Sequence, residues 1–275
     1  MDVSDRRSAD DLKFTGSVPE LYERLMVPML FSEAAVALAG KVASRDPGQI
    51  LETAAGTGVL TEALLSACPR AEILATDLNQ PMLDRAAARL GGGSRLRFQQ
   101  ADALDLPVAD ATSDVVACQF GVMFFPDRVR GHREARRVLR PGGALVFSVW
   151  DSLAGNDFAR VITDAVQEVA RDGSLDFMDR VPYGYSSPDR VEDDLAAAGF
   201  TAVSIETVDA TSTATAEDAA VALCQGTPLC AAIEAAPAVT LDSATRAARD
   251  ALQREYGDGE MAGRMRWLEV VAEVR

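Results

Sequence analysis

The sequence is poor in histidine and cysteine, and both shortages exclude kinds of chemistry. The single histidine excludes any site built from several imidazole ligands. It is His132, which lies among arginines in DRVRGHREARRVL, where we predict a solvated helix position and not a catalytic base. The cysteines lack the two-to-four-residue spacing that zinc sites favour, so we predict buried free thiols and no metal site. They are Cys68, Cys118, Cys224 and Cys230.

Long apolar runs are also missing. No stretch approaches the roughly 18 uncharged apolar residues that span a bilayer, and the first residues, MDVSDRRSADDLK, lack the apolar segment of a secretory signal. We therefore predict a cytoplasmic protein without a membrane partner. Its 275 residues allow one large domain or one domain with an elaborated cap.

Basic residues are scarce in the second half of the chain. Residues 1–150 carry 17 Lys and Arg against 19 Asp and Glu, whereas residues 151–275 carry 10 against 23. This acidity disfavours nucleic acid as a partner or substrate, because phosphate backbones would be repelled. Solubility is one explanation of the acidity, and attraction of a cationic substrate is another.

Short apolar strands alternate with helical segments through the first 150 residues. Such alternation predicts a parallel sheet covered on both faces, which is a doubly wound α/β domain. The strand candidates are QILETA (49–54), AEILATD (71–77), RLRFQQAD (95–102), DVVACQFG (114–121) and GALVFSVW (143–150). Before the first strand, two helical pieces separated by Pro28 are expected. A sixth strand is expected near residue 205, and residues 213–256 are predicted to be helical, with breaks at 226–228 and near Pro237.

The stretch ILETAAGTGVLTEALL joins the first strand to a helix through Gly56 and Gly58. Because these glycines have no side chains, the backbone can turn sharply and a ligand can approach it closely. The start of the helix at Val59 adds outward-pointing amides. A tight turn without a ligand is the alternative.

Polar residues end the neighbouring strands. Asp77 ends the second strand, nineteen residues after Gly58, where a carboxylate can accept both hydroxyls of a ribose; capping of the next helix is the alternative. Asp102 ends the third strand and Gln119 lies near the end of the fourth. Thr61 occupies the position of the third glycine of the dinucleotide fingerprint, so a nucleoside without phosphates is favoured.

At this point the sequence resembles the class I S-adenosylmethionine-dependent methyltransferases, in the branch similar to ubiquinone and menaquinone biosynthesis methyltransferases. The resemblance covers about residues 14–150 by motif. It rests on ILETAAGTG, ATDLNQPML, QQADALDLP, DVVACQFGVMFFPD and EARRVLRPGGALVFSVW. It implies a Rossmann-like sheet of seven strands whose last strand, MRWLEVVAEVR, is antiparallel.

The resemblance also implies which residues bind S-adenosylmethionine. The methionine part would be lined by Glu52, Ala54, Gly56 and Gly58, although the family usually has glycine where this chain has Ala54. The ribose would be held by Asp77. The adenine would be flanked by Leu78 and Met82, and its edge would meet Asp102 and Ala103. Gln119 would lie beside the sulfonium, and Tyr22 could close over the amino-acid end.

The implied activity is methyl transfer to an oxygen, nitrogen or carbon of a small molecule. A cyclase or decarboxylase on the same scaffold and a nicotinamide-dependent oxidoreductase are the alternatives, because a fold does not determine a reaction. We expect one methyltransferase domain, with a helical cap at 14–45, a cofactor-binding core at 46–150 and a C-terminal half at 151–275. A helical lid is expected at 213–256. The sequence indicates neither a catalytic base nor an oligomeric state.

Overall fold

The computed structural model describes residues 18–170, 175–237 and 239–275. Seven strands form one sheet. They are β1 (Gln49–Glu52), β2 (Glu72–Asp77), β3 (Leu96–Gln100), β4 (Ser113–Gln119), β5 (Leu139–Trp150), β6 (Ala202–Thr215) and β7 (Glu260–Glu273). Their order in the sheet is β3-β2-β1-β4-β5-β7-β6. The pairs among β1 to β5 are parallel.

The last strand runs antiparallel to β5. The Gly142 amide donates a 2.8 Å hydrogen bond to the Val274 carbonyl, and the Val274 amide returns one of 2.9 Å to the Gly143 carbonyl. Further along, the Asp151 amide donates to the Arg266 carbonyl at 3.2 Å, so residue numbers rise on one strand as they fall on the other, which is the antiparallel arrangement. The predicted fold class, a doubly wound α/β sheet with an antiparallel last strand, is confirmed.

Helices connect and follow the strands. In chain order they are α1 (Val18–Leu21), a π-helical segment (Tyr22–Phe31), α2 (Ser32–Ala43), α3 (Val59–Ala67), α4 (Gln80–Leu90), α5 (Arg128–Val138), α6 (Asp157–Ala170), α7 (Phe177–Arg180), α8 (Pro188–Ala197), α9 (Ala216–Gln225), α10 (Leu229–Ala235) and α11 (Leu241–Tyr256). The chain divides into two compact units. The sheet unit comprises Ser32–Val149, Ser186–Val208 and Trp267–Arg275, and the helical unit comprises Trp150–Tyr185, Asp209–Arg266 and the described residues before Ser32.

The core of the sheet unit lies between α2, α3 and one face of the parallel strands. Leu38 and Val42 of α2 and Leu64 of α3 are buried against Ile73 of β2 and Val146 of β5. Each such side chain contributes about 1.5 to 3 kcal/mol when it is removed from water. Because successive strand residues face opposite ways, the residues on this face are two apart along each strand.

The first helical stretch is continuous, contrary to the prediction. We expected Pro28 to separate two helical pieces, but it lies inside the π-helical segment, which continues directly into α2. By length and composition Tyr22–Ala43 is also long and apolar enough to cross a membrane, although half of its most apolar window is buried in the protein. The stretch contains Glu33 and Lys41, so it is not an uncharged apolar run of the length that the sequence analysis excluded.

The helical unit contains α6, α9 and α11, which pack together. The amino terminus of α11 is fixed by a capping box. In it, the side-chain oxygens of Thr240 and Ser243 each accept a hydrogen bond from the backbone amide of the other residue. Residues 213–215, predicted to be helical, instead belong to β6, and α9 begins at Ala216 after Thr215 caps it. The predicted breaks near residues 226–228 and Pro237 are confirmed.

Candidate functional site

The turn between β1 and α3 has an unusual backbone. Gly56 has a φ of 57° and Gly58 a φ of 84°, in the left-handed region that glycine adopts without steric cost. Ala54 shares this region with a φ of 53°. The Ala55 amide donates to the Thr76 carbonyl at 2.9 Å, which ties the turn to β2. The sequence prediction of a sharp turn at the two glycines is therefore confirmed.

The two glycines are required for different reasons. A Cβ on Gly58 would lie 2.9 Å from Leu90 Cδ1 and 3.1 Å from the Ala86 methyl, so Gly58 permits close packing against α4. A Cβ on Gly56 would meet only Met82 Cε, at 3.7 Å. Of the two, Gly56 is the one whose side-chain direction is open to a ligand.

Asp77, at the end of β2, is joined to this turn. Its Oδ2 accepts a 2.8 Å hydrogen bond from the Gly56 amide, and its Oδ1 accepts one of 2.8 Å from the Asn79 amide. Asn79 and not Asp77 is the N-cap residue of α4, so the helix-capping alternative does not describe Asp77, whose Oδ1 bonds to the cap residue itself. Burial raises the pKa of the Asp77 carboxyl, and the hydrogen bonds from Asn79 and Gly56 oppose that rise. The side-chain amide of Asn79 adds a longer hydrogen bond to Oδ1, at 3.5 Å.

Glu52, at the end of β1, is a second buried carboxylate. Its Oε2 accepts a 2.7 Å hydrogen bond from the hydroxyl of Thr61 in α3. Burial raises the pKa of Glu52 to about 8; the Thr61 hydroxyl opposes the rise and the charge of Asp77 adds to it. Sequence reasoning considered Thr61 only as a missing glycine, and no local signal pairs it with Glu52.

The polar side chains lie on one face of one edge of the sheet. Ile50, Ala75 and Ala117 all belong to the core beneath α2 and α3. Because residues two apart along a strand share a face, Glu52, Asp77 and Gln119 project to that same face at the carboxyl ends of their strands. β1 pairs with β2 on one side and β4 on the other, so this is the topological switch point where open α/β sheets bind ligands.

The loops after β2 and β3 form the next part of the edge. The Ala101 amide donates to the Asp77 carbonyl at 3.0 Å, which ties these two strand ends together. Asp102 is exposed, and its Oδ1 accepts from the Leu104 amide at 2.9 Å. Leu78 is 45% exposed, whereas Met82 is buried. An exposed leucine beside buried carboxylates is a suitable contact for a flat apolar ring.

The loop after β4 is fitted to the first turn. A Cβ on Gly121 would lie 2.4 Å from the Ala54 methyl, so Gly121 makes the room that Ala54 occupies. The Phe120 amide donates to the Ser148 carbonyl of β5 at 3.0 Å. The replacement of the family's usual glycine by Ala54 is thus accommodated by a glycine elsewhere in the chain.

Tyr22 and His132 both have aromatic neighbours. Tyr22 belongs to the helical unit, where its ring stacks on Phe31 with centroids 5.0 Å apart. His132 is buried beside Phe147, with ring centroids 5.5 Å apart, so the prediction of a solvated position is wrong. Burial, together with the charge of Arg128, lowers the pKa of His132 to about 3, which keeps the ring neutral.

The cysteines agree with the sequence analysis. All four are free thiols; three are buried and Cys230 is half-buried. Within residues 18–170, 175–237 and 239–275, no group of three or more histidine, cysteine or acidic side chains could hold a metal ion.

The donor set fits a cationic nucleoside better than a phosphorylated one. Glu52 and Asp77 are buried near each other, and every hydrogen bond that their carboxylates accept comes from a hydroxyl or an amide. Carboxylates in such surroundings attract an ammonium or sulfonium group and accept bonds from sugar hydroxyls, whereas they repel phosphate. The open side of Gly56 and the exposed Leu78 add space and an apolar contact.

Several known proteins are similar to this chain. A family model described as a methyltransferase domain matches residues 51–147. The demethylmenaquinone methyltransferase of Deinococcus radiodurans is 32% identical over 174 residues, which cover 60% of this chain and 72% of the relative. That of Thermus thermophilus is 32% identical over 164 residues, covering 56% and 74%.

Solved structures agree on the fold. Phospholethanolamine N-methyltransferase 2 of Haemonchus contortus, solved with S-adenosylhomocysteine, superposes with a TM-score of 0.62 at 16% identity, covering 96% of this chain and 59% of that one. The motifs, the strand order and the sequence relatives lead to one family. The chain belongs to the class I S-adenosylmethionine-dependent methyltransferases.

Proposed function

We propose that this methyltransferase binds S-adenosylmethionine along the carboxyl ends of β1 to β4 and transfers its methyl group to a small-molecule acceptor. The observation that carries this proposal is the 2.8 Å hydrogen bond from the Gly56 amide to the Asp77 carboxylate. It joins the glycine turn to the acidic strand end, and these are the two features that a nucleoside with an amino-acid tail requires.

Each side chain at this edge has a proposed role. Glu52, Ala54, Gly56 and Gly58 form the part of the site for the methionine portion, and Asp77 accepts the ribose hydroxyls. The adenine portion is assigned to Leu78, Met82, Asp102 and Ala103. Gln119 is assigned to the sulfonium, and Tyr22 to closure over the amino-acid end.

The bound cofactor supplies an activated methyl group for in-line displacement. The protein's part is to hold the acceptor at near-attack distance, about 3 to 3.5 Å, and to exclude water. A general base is required only when the acceptor must lose a proton. His132 is unsuited to that role, because it is buried and its pKa, lowered to about 3, makes its ring a weak base.

For the acceptor we propose a quinone-type ring as the first candidate. The support is that two relatives at 32% identity are named demethylmenaquinone methyltransferases. A third relative, 34% identical over 128 residues, is named malonyl-[acyl-carrier protein] O-methyltransferase, so a thioester-linked acid is the second candidate. We assign acceptor binding to segments around residues 14–30, 151–187 and 213–256, with a cap at 14–45 and a lid at 213–256. Of these, residues 14–17, 171–174 and 238 lie outside the part of the chain that the structure describes, and residues 213–215 belong to β6. We also propose a cytoplasmic protein that binds neither nucleic acid nor membrane.

Calorimetry and methyl transfer test the proposal in sequence. The protein should bind S-adenosylhomocysteine and not NAD⁺ when each is titrated separately. With radiolabelled S-adenosylmethionine, label should then pass to a demethylmenaquinone analogue or, failing that, to a component of a small-molecule extract. Binding of NAD⁺ alone would contradict the cofactor assignment. Cofactor binding without transfer of label to any acceptor would instead favour a cyclase or decarboxylase.

A further inference from the structure

Thr61 and Glu52 form a buried pair at the start of α3. The Thr61 hydroxyl donates to Glu52 Oε2 at 2.7 Å, and the Thr61 backbone amide also donates to this carboxylate. Both side chains are almost completely buried, with exposures of 0% for Thr61 and 1% for Glu52. The hydroxyl therefore determines where one carboxylate oxygen points.

The surroundings of Glu52 leave its charge poorly compensated. Asp77 of β2 adds repulsion, and the Thr76 hydroxyl bonds only to the backbone carbonyl of Glu52, at 2.8 Å. From β4 the titratable group is the Cys118 thiol, whose pKa burial raises to about 11. None of the described groups found to act on the Glu52 carboxylate is a cation. A buried carboxylate in these conditions is costly unless a cation joins it.

We propose that Thr61 is a positioning residue that holds the Glu52 carboxylate as the counter-ion of the cofactor's ammonium group, so that cofactor binding releases a proton from Glu52 to solvent. This inference rests on the proposed function and adds two things to it. It gives a role to the side chain that stands where dinucleotide-binding chains have glycine. It also makes cofactor affinity depend on pH near neutrality.

The direction of that dependence follows from the charge. Below a pKa of about 8 the carboxyl of Glu52 is mostly protonated, so binding of a cation must first remove the proton. Affinity should therefore rise with pH between 6 and 7.5. The Thr61 hydroxyl lowers the pKa of Glu52, so its loss should raise that pKa. The rise in affinity should then shift to higher pH, and binding at pH 7 should weaken.

Two substitutions at one position separate positioning from packing. Thr61→Val keeps the shape and removes the hydroxyl, whereas Thr61→Ser keeps the hydroxyl. Thr163→Val is the matched control, because Thr163 of α6 is also a buried helical threonine, and its hydroxyl makes no hydrogen bond. Titration calorimetry with S-adenosylhomocysteine at pH 6.0, 6.75 and 7.5, in two buffers of different ionisation enthalpy, gives both affinity and protons released.

We expect wild type, Thr61→Ser and Thr163→Val to bind alike and to release close to one proton per cofactor. Thr61→Val should bind about 10-fold more weakly at pH 7, as loss of a hydrogen bond to a charged group predicts, and its rise in affinity should lie at higher pH than that of wild type. Glu52→Gln should release no proton on binding. This variant tests the release of a proton from Glu52 even if Thr61→Val does not fold.

The outcomes separate the two proposals. Absence of wild-type binding would overturn the proposed function together with this inference. Wild-type binding with equal affinity and equal pH dependence in Thr61→Val would overturn the inference alone. Proton release that persists in Glu52→Gln would do the same.

Discussion

The methyl group of Ala54 occupies the space that a side chain at Gly121 would need. A Cβ on Gly121 would lie 2.4 Å from the Ala54 Cβ and 2.8 Å from the Cys118 sulfur. Gly121 has a φ of −101°, which any residue adopts. Glycine is therefore required at position 121 by the contact with Ala54 and not by the backbone conformation. The loops after β1 and β4 are therefore matched by a pair of small residues.

Gly121→Ala should lower the free energy of unfolding by about 1 to 3 kcal/mol, because the new methyl overfills the contact. Ala54→Gly should be nearly neutral alone, since relief of its left-handed conformation offsets the flexibility gained. The double variant should recover part of the loss, with a coupling energy of about 0.5 kcal/mol or more in urea unfolding. Gly40→Ala, in an exposed helical position with nothing within 4 Å, is the control and should not destabilise. Additive losses would show that the two sites are independent.

Asp77→Ala should weaken binding of S-adenosylhomocysteine about 10- to 150-fold, because charge-assisted hydrogen bonds of about 1.5 to 3 kcal/mol are lost. Calorimetry measures the change directly. Asp84→Ala removes an exposed carboxylate of α4 that bonds to Gln80, and it should bind like wild type. Unchanged affinity in a folded Asp77→Ala protein would refute the assignment of the ribose.

Glu52→Gln should change how stability depends on pH. The folded-state pKa of Glu52, about 8, lies above its ordinary value of 4.5, so the folded protein holds a proton that the unfolded chain releases between these limits. Wild-type stability therefore falls as pH rises from 4.5 to 8, by up to about 1.4 kcal/mol per pH unit from this group. In urea unfolding at pH 5, 6, 7 and 8, the free energy of unfolding of the variant should rise relative to that of wild type at each step. A constant difference would contradict the raised pKa.

His132→Leu should have its effect in acid. The folded-state pKa of about 3 lies below the ordinary 6.5, so the unfolded chain takes up a proton that the folded protein refuses. Wild-type stability from this group is complete above pH 6.5 and is lost as pH falls towards 3. The variant should lose less stability than wild type between pH 6.5 and 4.5 in thermal unfolding. Parallel curves would mean that His132 becomes protonated in the folded protein.

Much of the site could be predicted from the chain because it is encoded locally. The turn at Gly56 and Gly58 follows from adjacent glycines between an apolar strand and a helix. Asp77 could be assigned to the same edge because parallel strands bring their carboxyl ends together. Neither inference requires knowledge of which side chains touch.

The sequence by itself determined the alternation of strands and helices, the turn at Gly56 and Gly58, and the carboxylate of Asp77 at the end of β2. Each of these depends on residues close together in the chain. Only the tertiary structure decided that Thr61 bonds to Glu52, that Gly121 makes room for Ala54, and that His132 is buried beside Phe147. The Gly121 and His132 contacts join different strands, loops and helices. Even the pairing of Glu52 with Thr61, nine residues apart, depends on the angle at which α3 leaves the turn. Side-chain packing and burial set these relationships, and composition and spacing do not carry that information.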